Sequence, residues 1–261
     1  MAPTSYFFAG AAVLLLVLCT SSPVSASLAA AEEAAPPLAS DRIKHIVVLM
    51  LENRAFDHVL GWFPGVDGLN GTQFNLVNSS DPNSQKIYQT PNSPNINQCD
   101  PNHGLPATSY KIFGATAFAE NNFTVPTMGG FVDFELNKDG NNACNLMTLQ
   151  YLSFTPDKLP ILSTLASEYV LMDRFFASLP GPTWPNRMFF MAGTSSGLTE
   201  TFPWYHDEPG LLFPTKTIFD QVTEAGGEWK VYYNDTPWEL FVGALATHPE
   251  HMHSLGQFFD D

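Results

Sequence analysis

Basic residues are scarce in this chain. Lys and Arg number 11 against 26 Asp and Glu, a formal charge of −15. That deficit argues against nucleic acid or an anionic membrane surface as the main partner, because cationic side chains do most of the work of binding either. An acidic chain that handles an anionic substrate needs a local positive element, a metal ion or a placed Arg. Cysteine is nearly missing too. Cys19, Cys99 and Cys144 are the only three, and neither their spacing nor their neighbours match a zinc site. No internal repeat is visible, which excludes a solenoid or propeller. The apolar stretch Tyr6 to Cys19 is too short for a comfortable membrane span.

That stretch reads instead as targeting. No Lys or Arg precedes it, and Val24-Ser25-Ala26 supplies a small-residue cleavage pattern. Residues 1–26 are expected to be a signal peptide of a secreted or extracytoplasmic protein. Residues 27–40, rich in Ala, Glu and Pro, are expected to be a disordered lead-in to a domain over 41–261. Export predicts oxidised cysteines. Cys99 and Cys144 then form an even pair, and a bridge between them would contribute about 4 kcal/mol. Asn70, Asn78, Asn122 and Asn234 each head an Asn-x-Ser/Thr acceptor.

What is plentiful is apolar surface and turn residues. The chain is 44% hydrophobic, with 21 Phe, 21 Pro and 18 Gly, enough for a sizeable core joined by many turns. Ile46 to Leu51 is an unbroken apolar run that reads as a strand buried on both faces. Glu52 and Asn53 end it, and Arg54 to Leu60 can open a helix with Asn53 as N-cap. The polar stretch from Trp62 to Pro106 reads as a long loop. Further helices are expected over 110–120, 159–167, 186–192 and 217–225, the last closed by Gly226 and Gly227. Tyr169 to Phe176 and Trp229 to Asn234 read as further strands. This alternation predicts an α/β fold, a mostly parallel sheet flanked by helices. The close at Phe258-Phe259-Asp260-Asp261 has no polar tail and reads as lying inside a larger domain.

Two stretches carry chemistry. Glu52 and Asn53 leave the predicted strand at its carboxyl end, where open α/β sheets bind ligands, and offer two oxygen ligands. The plainer role for them is a helix cap facing water. Thr183 follows a Gly/Pro turn, Leu179 to Pro182, and precedes a helix, where free backbone N–H groups favour phosphate or sulfate. Arg187, one turn on, can clamp two oxyanion oxygens. The plainer roles are a capping Thr and a surface Arg.

Three segments together resemble a known family. ENRAFDHVLG at 52–61, DPNH at 100–103 and PTWPNR at 182–187 are similar to the bacterial and plant phosphoesterases, comprising non-specific phospholipase C enzymes and a related acid phosphatase. Thr183-x-Pro185-x-Arg187 also looks like a sulfatase nucleophile signature. The resemblance implies an alkaline-phosphatase-like fold and a divalent metal ion held by Glu52, Asn53 and Thr183. It implies Thr183 as a nucleophile that becomes phosphorylated. His103 would touch phosphate or move a proton, Asn186 and Arg187 would shape the site, and His253 would aid the leaving group. His253 is equally readable as one of three neighbouring surface histidines, with His248 and His251. The implied substrate is a phospholipid or another phosphate ester, with at most peripheral membrane contact. Trp62, Phe63, Trp204 and Tyr205 are candidates to receive an apolar group. The family's distal Asp-Glu and Asp-His metal ligands have no counterpart in the sequence, and Ala55 stands where Ser is frequent. Two other readings therefore remain: an acid phosphatase or sulfatase-like hydrolase, and a truncated non-catalytic secreted relative.

Overall fold

A computed structural model describes residues 43–91, 99–139, 153–201, 213, 215–235, 237 and 242–261. The expected signal and lead-in, Cys144, Trp204 and Tyr205 lie outside these residues. The main core is built on helix α5 (Thr183–Ala192), so the elements are numbered around it. Before it come α1 (Phe56–Val59), β1 (Phe74–Leu76), β2 (Lys86–Tyr88), α2 (Leu105–Ala119), α3 (Phe131–Asn137) and α4 (Pro160–Glu168). After it come α6 (Ile218–Glu224), β3 (Val231–Tyr233), α7 (Gly243–Thr247) and β4 (Met252–Ser254).

Trp184, Met188 and Met191 recur at helical spacing and so share one face of α5. All three are buried, against Leu198, Trp229 and Leu245 among others. The helix stops at Gly193, whose φ of 71° is left-handed and costs glycine nothing. A capping box between Thr217 and Asp220 starts α6. Strands β3 and β4 pair in parallel, with Tyr232 opposite His253. Parallel neighbours need a crossover, and here it runs through α7 and a 3-10 turn, Pro249–His251.

A second, smaller core gathers Ile112, Met128 and Phe131. Asn75 joins it to the hairpin: its amide donates to the Met128 carbonyl at 3.2 Å and its oxygen accepts the Phe131 N–H at 3.0 Å. Asp133 on α3 accepts from the Ser79 backbone and hydroxyl and from the Tyr110 hydroxyl.

The fold therefore mixes helices with short strands, and the expectation of a mostly parallel sheet needs correction. Among the described residues the strands form two two-stranded sheets, one antiparallel (β1–β2) and one parallel (β3–β4). Residues 46–51 are not a buried strand. Ile46 and Leu49 are more than half exposed, and no strand is assigned there. Residues 169–176 are likewise irregular and largely exposed. A β-branched apolar run is suited to a sheet interior, but pairing is decided by segments far away in sequence, and none of the described ones lies alongside. Asn53 is not the cap of α1. It sits at φ 63°, a left-handed conformation that Asn tolerates, and Ala55 occupies the cap position. The stretch read as one long loop carries the β1–β2 hairpin, and the helix expected from Asn186 begins at Thr183.

Asp57 on α1 is buried. Burial, with the Asp67 carboxylate adding to it, pushes its carboxyl up to about 7 from 3.8. The folded state thus holds a proton that the unfolded chain has released, so this group's contribution to stability falls as pH rises from near 4 to about 7. Asp57→Asn is predicted to flatten that fall, as read from urea midpoints across this pH window. A decline as steep as that of the native chain would contradict the assignment.

Candidate active site

Glu52 and Arg187, 135 residues apart, meet as an ion pair. Arg187 Nε donates to Glu52 Oε1 at 2.6 Å, and Nη2 donates to Oε2 at 2.5 Å. This is the two-point geometry for which a guanidinium is shaped. Both side chains are mostly buried, at 16% and 18% exposure. The Glu52 segment is thereby fastened to α5, one helical turn below Thr183. Residues four apart share a helix face, so Arg187 leaves α5 on the face that Thr183 also occupies. The two-pronged donor face that the sequence assigned to an oxyanion is engaged by Glu52.

The turn before Thr183 is stitched by Asn186. Its Oδ1 accepts the Leu179 N–H at 3.0 Å, and its Nδ2 donates to the carbonyls of Leu179, Gly181 and Pro182 at 3.0–3.2 Å. Asn186 thus fixes the backbone that delivers Thr183. Thr183 is half-buried at the first position of α5, and no side chain caps that helix end. Uncapped first-turn N–H groups favour an anion there.

His103 lies on the loop that opens α2. Gly181, in the turn before Thr183, lies close to Leu105, the first residue of α2. The Nδ1 of His103 lies 2.9 Å from the Pro101 carbonyl. A carbonyl only accepts, so Nδ1 carries the proton, and in the neutral ring Nε2 keeps its lone pair. Asn53 is exposed. His253 is on β4, its ring 5.7 Å from that of Tyr232, and no described contact joins it to Thr183 or Arg187.

All three motif segments fall inside residues 43–259, the stretch matched by the phosphoesterase family. The chain belongs to the phosphoesterase family. Among its relatives, non-specific phospholipase C1 of Arabidopsis thaliana is 37% identical over 209 residues, covering 78% of this chain and 37% of the relative. Non-specific phospholipase C4 of the same plant is 36% identical over 234 residues, 84% of this chain and 41% of the relative. Phospholipase C B of Mycobacterium tuberculosis is 27% identical over 214 residues, 74% and 38%. The chain thus spans about two-fifths of the length of these curated relatives.

One constellation in this phosphoesterase chain escaped the sequence reading. Lys111 and Glu135 form an ion pair at 2.6 Å with 1% and 0% exposure. Lys111 also donates to the Asn102 carbonyl at 2.5 Å, and Thr108 donates to the next carbonyl, that of His103, at 3.2 Å. Two buried side chains of α2 therefore grip consecutive carbonyls on either side of the His103 ring. Burial holds the Lys111 ammonium below the usual lysine range, with Glu135 pulling the other way. Neither carboxylate oxygen of Glu135 makes an aligned hydrogen bond. The only sequence signal was a lysine within an apolar helical stretch.

Breaking such a pair strands a buried charge, at a cost of about 3–5 kcal/mol. Lys111→Met is predicted to lower unfolding stability by about that amount in urea denaturation, and Lys111→Met with Glu135→Leu to recover much of it. A single variant as stable as the native chain would show that the pair holds nothing.

Proposed function

We propose that the chain carries the nucleophile-bearing part of a phosphoric ester hydrolase, with Thr183 as the nucleophile. The observation that carries this reading is the Glu52–Arg187 pair, which ties the first motif to the helix that begins at Thr183. Thr183 Oγ1 attacks phosphorus in line while the bond from phosphorus to the leaving-group oxygen breaks. The hydroxyl proton leaves by way of His103, and His253 protonates the departing oxygen. Water then cleaves the phosphothreonine, releasing phosphate or a phosphorylated head group and restoring the hydroxyl. Arg187 and the open N-terminus of α5 stabilise charge on the phosphoryl oxygens.

Glu52, Asn53 and Thr183 would hold a divalent ion. Their donors are a carboxylate, an amide oxygen and a hydroxyl, a set suited to a hard cation, and each Glu52 oxygen has lone-pair capacity beyond the one N–H it accepts. Once bound, that ion supplies Lewis-acid stabilisation at the phosphoryl group. The relatives' names as phospholipases C support a phospholipid ester as substrate. Trp62 and Phe63, both half-buried, support an apolar approach. No helix among the described residues is long and apolar enough to cross a membrane. Exposure of Asn70, Asn78, Asn122 and Asn234 supports export, as does a disulfide at Cys99.

An aryl phosphate and phosphatidylcholine, each with divalent ions, test the reading on the full chain. Thr183→Ala is predicted to fall to background on any substrate the native chain turns over, and Glu52→Ala to lose bound metal on elemental analysis. Native-like turnover by Thr183→Ala would remove it as nucleophile. Unchanged metal content in Glu52→Ala would remove it as a ligand.

A further inference from the structure

His248, Glu250 and His251 come together where α7 hands over to β4, and nothing in the proposed reaction uses them. One ligand-type atom from each lies within 4.8 Å of the others. His248 Nδ1 is 2.9 Å from Glu250 Oε1, and His251 Nε2 is 3.8 Å from the same oxygen. Ligands about 2.0–2.1 Å from a tetrahedral zinc ion sit roughly 3.3 Å from one another. The observed spacings bracket that value.

An independent feature concerns the His251 ring. Its Nδ1 is 2.7 Å from the Trp229 carbonyl. That bond places the ring proton on Nδ1 and leaves the Nε2 lone pair on the Glu250 side. Metal-bound histidines are held in this way, the second nitrogen donating to a carbonyl or carboxylate. The ring is also stacked on the Trp229 indole, at 4.4 Å and 25° between planes. Trp229 in turn is buried in the main core and packs on Phe219 at 4.8 Å. Tautomer and ring orientation are therefore set by residues outside the cluster, before any ion arrives.

We propose that His248 Nδ1, a Glu250 carboxylate oxygen and His251 Nε2 bind one zinc-class transition ion, which displaces the proton that His248 Nδ1 donates to Glu250 in the ion-free chain, with water completing its shell. Two imidazole nitrogens select such an ion over magnesium or calcium, which take oxygen donors. The site is thus chemically distinct from the all-oxygen set at Glu52, Asn53 and Thr183. Its place in the fold also gives it a structural consequence. The Trp229 carbonyl lies just ahead of β3, and His251 immediately precedes β4. An ion on this turn would hold the His251 ring in the orientation that bonds the Trp229 carbonyl, at the leading ends of the two parallel strands.

Zinc chloride titrated calorimetrically into the full chain tests the proposal. The native chain is expected to take up zinc, and His248→Ala with His251→Ala to bind it at least about tenfold more weakly. Glu250→Gln, at an exposed position that leaves the fold undisturbed, is expected to weaken binding similarly. Glu52→Ala should keep the zinc uptake that His248→Ala with His251→Ala loses, so this test is separate from that of the proposed active site. Native-like affinity in both cluster variants, or no zinc binding by the native chain, would overturn the inference.

Discussion

The structure depends on one charged contact, the two-pronged pairing of Arg187 with Glu52. On one side is an apolar segment that finds no strand partner among the described residues. On the other is the best-packed helix of the main core. Side-chain exposures of 16% and 18% put the pair between the surface regime, where ion pairs contribute little, and the deep interior, where losing one partner is severe. Its geometry fixes direction as well as proximity: an Arg that spends Nε and Nη2 on one carboxylate cannot rotate freely. The first motif is thereby tied to Arg187, one helical turn from Thr183 on α5.

Around that contact, positional control is supplied by carbonyl-gripping side chains. Asn186 holds the turn before Thr183, and Lys111 with Thr108 holds the loop that bears His103. In each case a side chain from inside a helix reaches back to the loop that precedes that helix. Loop backbone that carries reactive groups has few ladder bonds of its own, so such donors decide where it stands. The burial of Lys111 is costly, and Glu135 offsets that cost without forming an aligned hydrogen bond.

Local signals were legible in the sequence. The glycine exit of α6, the Pro-led α4 and the strand at Val231–Tyr233 follow from capping chemistry and periodicity, and a helix after the Gly/Pro turn was expected three residues later than α5 begins. The three motif segments also identified the family. Non-local features were not legible. Residues 46–51 and 169–176 have the composition of buried strands, yet composition cannot supply the neighbouring strand. Asn53 was expected to cap because Asn favours caps, but it equally tolerates the left-handed conformation it adopts. The Lys111–Glu135 pair joins helices separated by an irregular stretch, a pairing no periodicity announces. The joining of Glu52 to Arg187 was half-visible: both residues were singled out, each for a different partner.

The acidic chain was expected to need a local positive element for an anionic substrate, and the proposed reaction assigns that role to Arg187 and the uncapped start of α5. The central claim is that these serve a reaction at Thr183. Acid-quenched turnover of a phosphate ester, followed by mass spectrometry of the digested chain, tests it directly. The account predicts one phosphoryl group on the peptide that contains Thr183, localised to that residue. A chain that carries none, or carries it elsewhere, would contradict it.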